Sequence, residues 1–180
     1  HCDMALRLKD DGWHVLVITD TQSALYDRLR HKNIQLHQIR ISNLSFLNVF
    51  KILTIRRILN EHKINTILLN LPSDLKAGGI AAKLAGVTKI IYRRGLDRPI
   101  KNTFLNRFLF RRILTGVIVN SKETRRRILQ NAPSLIPKEN IRVIYNGVDL
   151  QKYDREQATP IYTKHEDEIV LGNAGRLVEQ

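Results

Sequence analysis

Ile141–Asp154, IRVIYNGVDLQKYD, is the stretch on which the fold turns. Ile141, Val143 and Ile144 make a short β-branched strand, Asn146-Gly147 a turn, and the residues up to Asp154 a hydrated exit. The strand does not return as a hairpin, so it marks a boundary. Beyond it the chain is polar with a single Pro160, as a linker is. Glu168–Leu171 is then expected to form a second apolar strand running into the turn Gly172-Asn173-Ala174-Gly175-Arg176. The expected organisation is a first domain over residues 1–154, a linker over 155–167 and the start of a second domain over 168–180.

From that boundary back to the amino terminus, strand and helix alternate. His1–Lys9 reads as part of a helix stopped by Asp10-Asp11-Gly12. His14–Thr19 and Thr66–Leu71 are nearly continuous apolar runs, the pattern of strands buried on both faces. Ile34–Ile41 alternates imperfectly and suits a strand nearer an edge. Phe46–Glu61 predicts a helix with two apolar sets, Phe46/Phe50/Leu53 and Ile52/Ile55/Leu59. Pro72-Ser73-Asp74 starts a helix that is rich in small residues (Ala77, Gly78, Gly79, Ala81, Ala82) and ends at Gly86, so it can lie close on a sheet. Lys89–Tyr92 is a strand, Arg93-Arg94-Gly95 a charged turn, Lys101–Leu114 a helix and Val117–Val119 a strand. Ser121 caps a helix to about Gln130, and Pro133 and Pro137 mark the loop before Ile141. This alternation predicts a doubly wound α/β domain with a parallel sheet.

In such a sheet ligands bind at the carboxyl ends of the strands. The residues expected there are Thr19-Asp20, Asn70, Arg93-Arg94-Gly95, Asn120-Ser121 and Asn146-Gly147.

The 180 residues carry 30 Lys and Arg against 17 Asp and Glu, a net charge of +13. That excess favours an anionic partner, such as nucleic acid, acidic phospholipid or a phosphorylated substrate, although a solvated basic surface also fits. The one cysteine, Cys2, offers neither a disulfide within the chain nor metal-ligand spacing, and points to a reducing cytoplasm. No apolar run approaches the roughly 20 residues of a membrane span. A glycine-rich dinucleotide turn, a P-loop and a G-x-S-x-G elbow are all missing. The histidines at 1, 14, 31, 37, 62 and 165 lack metal-ligand spacing, and no metal site is expected.

The basic residues concentrate between Arg93 and Arg127, interleaved with Phe104, Leu105, Phe108, Leu109 and Phe110. On a regular helix Phe104, Leu105, Phe108 and Leu109 share one side, flanked by Lys101, Arg107 and Arg111, while Arg112 falls inside the stripe and has to snorkel. Two placements fit: this face on the sheet with the arginines in water, or this face on anionic lipid.

Taken together, IRVIYNGVDLQKY, the preceding VIVNSKETRRRIL with its proline-containing loop, and the later VLGNAGRLVEQ resemble the nucleotide-sugar glycosyltransferases of the GT-B fold, the retaining group 1 or family 4 class. The resemblance implies that residues 1–154 are a Rossmann-like, acceptor-binding amino-terminal domain. Its first strand and glycine-rich loop are expected before His1. A donor-binding domain opens at 168, with a lysine and an E-x7-E segment expected after Gln180. It further implies that Gly175 and Arg176 contact the donor diphosphate, where a guanidinium meets the charge developing on the leaving group. Arg93 and Arg94 stand where relatives often place a histidine, and are read with Asn120 and Ser121 as acceptor-binding. Asn146, Gly147 and Asp149 fall at the hinge and cleft.

The activity implied is transfer of a sugar, with retention, from a nucleotide-sugar to a cell-envelope glycan or a lipid-linked acceptor. The nucleotide-sugar is a co-substrate and no further cofactor is expected. The implied location is the cytoplasm, peripheral on the inner face of the membrane, and such a fragment is expected to be inactive alone. The alternative is a non-catalytic basic α/β module that binds nucleic acid or anionic membrane. Nucleic acid is the less expected partner, because no stacking platform of exposed aromatics and no reading motif accompanies the charge.

Overall fold

The structure is a computed structural model that describes residues 2–95, 100–131, 135–147, 150 and 162–172. The chain divides into two compact units, His1–Tyr145 and Asn146–Gln180. In the first unit the order is α1 (Cys2–Asp10), β1 (Leu16–Thr19), α2 (Ala24–Leu29), β2 (Gln35–Gln38), a 3-10 turn (Ser45–Leu47), α3 (Val49–Glu61), β3 (Thr66–Leu69) and α4 (Pro72–Leu84). There follow β4 (Lys89–Arg94), α5 (Phe104–Phe108), a π-helical turn (Leu109–Ile113), β5 (Gly116–Val119), α6 (Lys122–Asn131), a second 3-10 turn (Lys138–Asn140) and β6 (Ile141–Val143).

Every strand pairing is parallel: β1 with β2 in one sheet, and β3-β4-β5-β6 in the other. The steps β3 to β4, β4 to β5 and β5 to β6 run the same way across the ladder. Right-handed crossovers therefore place α4, α5 and α6 on one face. α3 packs beside α4, α4 beside the π turn, and α1 and α2 pair with each other. This is the Rossmann-like parallel α/β architecture that the alternating pattern predicts.

The core lies between the four-stranded ladder and the α3–α4–π-turn layer. α3 contributes Ile52, Ile55, Ile58 and Leu59, and the strands contribute Leu69, Ile90, Tyr92, Val117 and Val119. The small residues of α4 let it approach the sheet closely. A Cβ on Gly78 would lie 2.9 Å from Leu69 Cδ2, and one on Gly79 3.1 Å from Ile113 Cγ2. α4 stops at Gly86, whose φ of +75° is costly for any residue with a Cβ.

Several expectations are corrected here. β4 continues through Arg93 and Arg94, which are strand residues and not a turn, because they pair with Ile118 and Val119 of β5. α3 does not bury both apolar sets: Ile52, Ile55 and Leu59 are inside, while Phe50 and Leu53 face water. The expected helix Lys101–Leu114 begins at Phe104 and widens into a π turn after Phe108. That extra residue per turn buries Leu109, Phe110 and Ile113 while leaving Arg111 and Arg112 exposed, so Arg112 has no need to snorkel. Glu168–Leu171 forms no strand; Ile169 and Leu171 are exposed, and Glu168 accepts a hydrogen bond from the Tyr162 hydroxyl at 2.6 Å.

Candidate functional site

Parallel pairing brings the carboxyl ends of β3, β4 and β5 to one end of the ladder. Leu69 sits opposite Tyr92, and Arg94 opposite Val119, so Asn70, Arg93, Arg94 and Asn120 collect there. Asn120 links the two loops: its Nδ2 donates to the Gly95 carbonyl at 3.4 Å, and its Oδ1 accepts from Thr124 Oγ1 at 3.2 Å. Ser121 Oγ accepts from the Thr124 amide at 3.0 Å, satisfying an orphan donor of the first turn of α6. At the end of β1, Ser23 caps α2 and meets Thr19 Oγ1 at 2.8 Å, while Asp20 pairs with Arg40 at 3.5 Å.

A buried polar group lies behind this rim. Tyr92 is 2% exposed and stands edge-on to Phe110, with ring centroids 6.0 Å apart. Burial pushes its phenol above the ordinary value, while the nearby charge of Arg94 and a hydrogen bond with that side chain pull it back. Arg94, 8% exposed, is thus an anchored cation at the strand end. Asp74, in the first turn of α4, accepts from the Leu71 amide at 2.9 Å. Burial nevertheless pushes its carboxyl above the usual range, against the opposing hydrogen bonds from the Leu71 and Asn70 amides and Ser73. Asn70 Oδ1 is buried with no hydrogen-bond partner among the described residues. A carbonyl oxygen that lacks a donor, at the strand ends that also carry Arg93 and Arg94, suits a ligand carrying hydroxyls and negative charge.

Of the residues singled out from sequence, Arg93, Arg94, Asn120 and Ser121 share this end of the ladder. Asn146 and Gly147 are exposed at the start of the second unit. Asp149, Gly175 and Arg176 lie outside the described residues. Along α5 the expected grouping is corrected: Leu105 and Leu109 face the core, whereas Phe104 and Phe108 face water beside exposed Arg107 and Arg111, with Lys101 also exposed.

Tyr92 and Asp74 were not singled out. The signal for Asp74 was its place in the first turn, and for Tyr92 the alternation of Lys89–Arg94. His14, His37 and His62 converge beside β2, His37 Nε2 lying 3.2 Å from His62 Nε2 with Gln35 bridging to His14 and His62. Among the described residues no group of three His, Cys, Asp or Glu is arranged to hold a metal ion.

The Glycosyltransferase Family 4 model matches residues 2–152, and the chain belongs to that family. Among solved structures, a glycosyltransferase from Rickettsia africae ESF-5 is 20% identical with a TM-score of 0.72, over 88% of this chain and 41% of that one. HepE of Anabaena, solved in complex with UDP and glucose, is 21% identical with a TM-score of 0.60, over 84% and 42%. MurG of Acinetobacter baumannii is 17% identical with a TM-score of 0.58, over 82% and 41%. The chain therefore spans about two fifths of the length of the structures it matches. No curated protein matches it significantly.

Proposed function

We propose that this chain is the acceptor-binding part of a glycosyltransferase that moves a sugar from a nucleotide-sugar, with retention, to a cell-envelope glycan or lipid-linked acceptor. The observation that carries the reading is the family match over residues 2–152, which includes every strand of the described sheets. HepE, with its UDP and glucose, supports a nucleotide-sugar as donor. Arg93 and Arg94 hold the anionic part of the acceptor, and Asn70 Oδ1 accepts from one of its hydroxyls. Asn120 and Ser121, through Thr124 and Gly95, keep the β4 and β5 loops in register with it. Gly175 lets the backbone approach the donor diphosphate, and Arg176 meets its charge as the glycosidic bond breaks. Asn146, Gly147 and Asp149 form the hinge.

A lipid-linked acceptor is favoured by α5, which turns Phe104 and Phe108 toward solvent among Lys101, Arg107 and Arg111. Among the described residues no helix is long and apolar enough to cross a membrane. In this reading the attachment is made by that surface, at the cytoplasmic face.

The test is to incubate the full-length protein that carries this chain with labelled UDP-, GDP- and TDP-sugars and membrane lipid extract. Label is expected in the lipid fraction, with the donor's anomeric configuration kept. An inverted product would overturn retention, and release of free sugar alone from every donor would overturn the acceptor class. Arg94→Ala should lower kcat/KM for the acceptor by about a hundredfold if it is a charge-assisted contact.

A further inference from the structure

The loop before α3 holds an apolar cluster that the site does not use. Leu44, Leu47 and Val49 are each about two thirds exposed and Phe50 is 83% exposed; with Asn48 they line a shallow, open depression. The segment is firmly held. Ser45 is buried, its Oγ accepting from the Ser42 amide at 2.8 Å. Phe46 packs on the core with Lys76 Nζ 5.5 Å from its ring centroid. Asn48 Oδ1 caps α3 by accepting from the Lys51 amide at 3.0 Å. Ser45 and Phe46 are thus turned inward, while Leu44, Leu47, Val49 and Phe50 are turned out.

Charge and position say what covers this cluster. From Arg28 to Asn60 the chain contains no carboxylate, and Arg40, Lys51, Arg56 and Arg57 lie along this stretch. Asp20 is paired with Arg40, and Glu61 with Arg57 at the far end of α3. α3, α4 and α5 each start after a preceding strand at the carboxyl end of the sheet. Their first turns offer Val49 and Phe50, Leu71, and Phe104, all exposed. Apolar tips among cations, with no carboxylate between Arg28 and Asn60, match an anionic bilayer surface, where aromatic and aliphatic groups enter the headgroup region and Lys and Arg meet lipid phosphates.

We propose that Leu44, Leu47, Val49 and Phe50 form a membrane-inserting wedge that, with Phe104, seats the carboxyl end of the sheet on an anionic bilayer. The wedge deepens the lipid-acceptor reading above and gives it a purpose, since it brings Arg93, Arg94 and Asn70 to headgroup level.

The experiment uses the full chain with Trp13→Phe and Phe50→Trp, so that the single indole reports from the wedge. Vesicles of phosphatidylcholine alone are compared with equal parts phosphatidylcholine and phosphatidylglycerol. The expected result is a blue-shifted emission, quenched by brominated acyl chains, only with the anionic vesicles. Without the reporter, Leu47→Ser with Phe50→Ser should weaken sedimentation with those vesicles by at least about tenfold. An unshifted indole on co-sedimenting protein would overturn the wedge in favour of adhesion by charge alone. Failure to sediment would overturn membrane docking altogether. A dimer that the double variant dissociates, with vesicle binding unchanged, would assign the face to a second copy and also overturn it. Hydrolysis of nucleotide-sugar in detergent, measured on the full-length protein carrying the same changes, separates these outcomes from failure of the glycosyltransferase reading: the wedge variant should keep it.

Discussion

The Leu71 amide donates to Asp74 Oδ2 at 2.9 Å across the turn between β3 and α4, so a partly buried carboxyl both caps a helix and borders the site. Asp74→Ala should cost about 1 kcal/mol of folding stability through the lost cap. Asp74→Asn keeps an acceptor oxygen and removes the ionisation. Because the folded carboxyl titrates above its ordinary 3.8, the native state binds the proton more tightly than the unfolded chain. This group's contribution is therefore fully present below 3.8 and is lost as pH rises through the folded value. Urea titrations across that window should show a shallower decline for Asp74→Asn than for the parent.

Gly78→Ala sets two effects against each other. Alanine gains about 1 kcal/mol of helix propensity, but its Cβ would meet Leu69 Cδ2 at 2.9 Å inside the core. Overpacking of this kind costs about 1–3 kcal/mol, so a net loss of about 1 kcal/mol is expected. In a Leu69→Val background, where the offending methyl is gone, the same change should become neutral or stabilising. Denaturant melts of the four proteins test this coupling directly.

Tyr92→Phe keeps the edge-on contact with Phe110 and removes the hydroxyl shared with Arg94. A hydrogen bond to a charged group contributes about 1.5–3 kcal/mol, and a loss in that range is expected. Tyr92→Ala, which also empties the ring's space, should cost about 3–5 kcal/mol. Equal losses for the two variants would mean that the hydroxyl carries the whole effect.

Along α5, neighbours in sequence should respond very differently. Phe104→Ser changes an exposed side chain and should move stability by less than about 0.5 kcal/mol. Leu109→Ala opens a cavity in the core and should cost about 2–5 kcal/mol. Thermal melts of the two variants check the division of this segment that the π turn imposes.

What could be read from the chain alone follows from how each signal arises. β3 and β5 are legible because each is a short, nearly continuous apolar run. α4 was legible because Pro72, Asp74 and Gly86 punctuate it. β4 was cut short because two arginines look like a turn, and only its neighbours reveal that Arg94 can be buried beside Tyr92. α3 offered a broad apolar face of two sets, and the fold buries Ile52, Ile55 and Leu59 of it while Phe50 and Leu53 face water. The π turn left no trace, since its extra residue is fixed by where Leu109, Phe110 and Ile113 must point. In the site, Arg93, Arg94, Asn120 and Ser121 could be placed by the rule for strand ends. Asp74 and the Asn70 carbonyl matter through burial, which periodicity does not report. The convergence of His14, His37 and His62 joins residues far apart in sequence.

The four parallel pairings close chain segments of similar length, each returning over a helix or helical connection. Loop-closure entropy grows so slowly, about 0.6 kcal/mol per doubling, that it ranks none of them ahead of another. Side-chain burial does. β4 and β5 each carry fully buried residues, whereas β1 and β2 have none. Amide protons of Ile18 and Leu36 should therefore exchange with solvent deuterium through small local openings, while those of Tyr92 and Val119 should wait for global unfolding. The domain then behaves as a resistant ladder with a yielding flank.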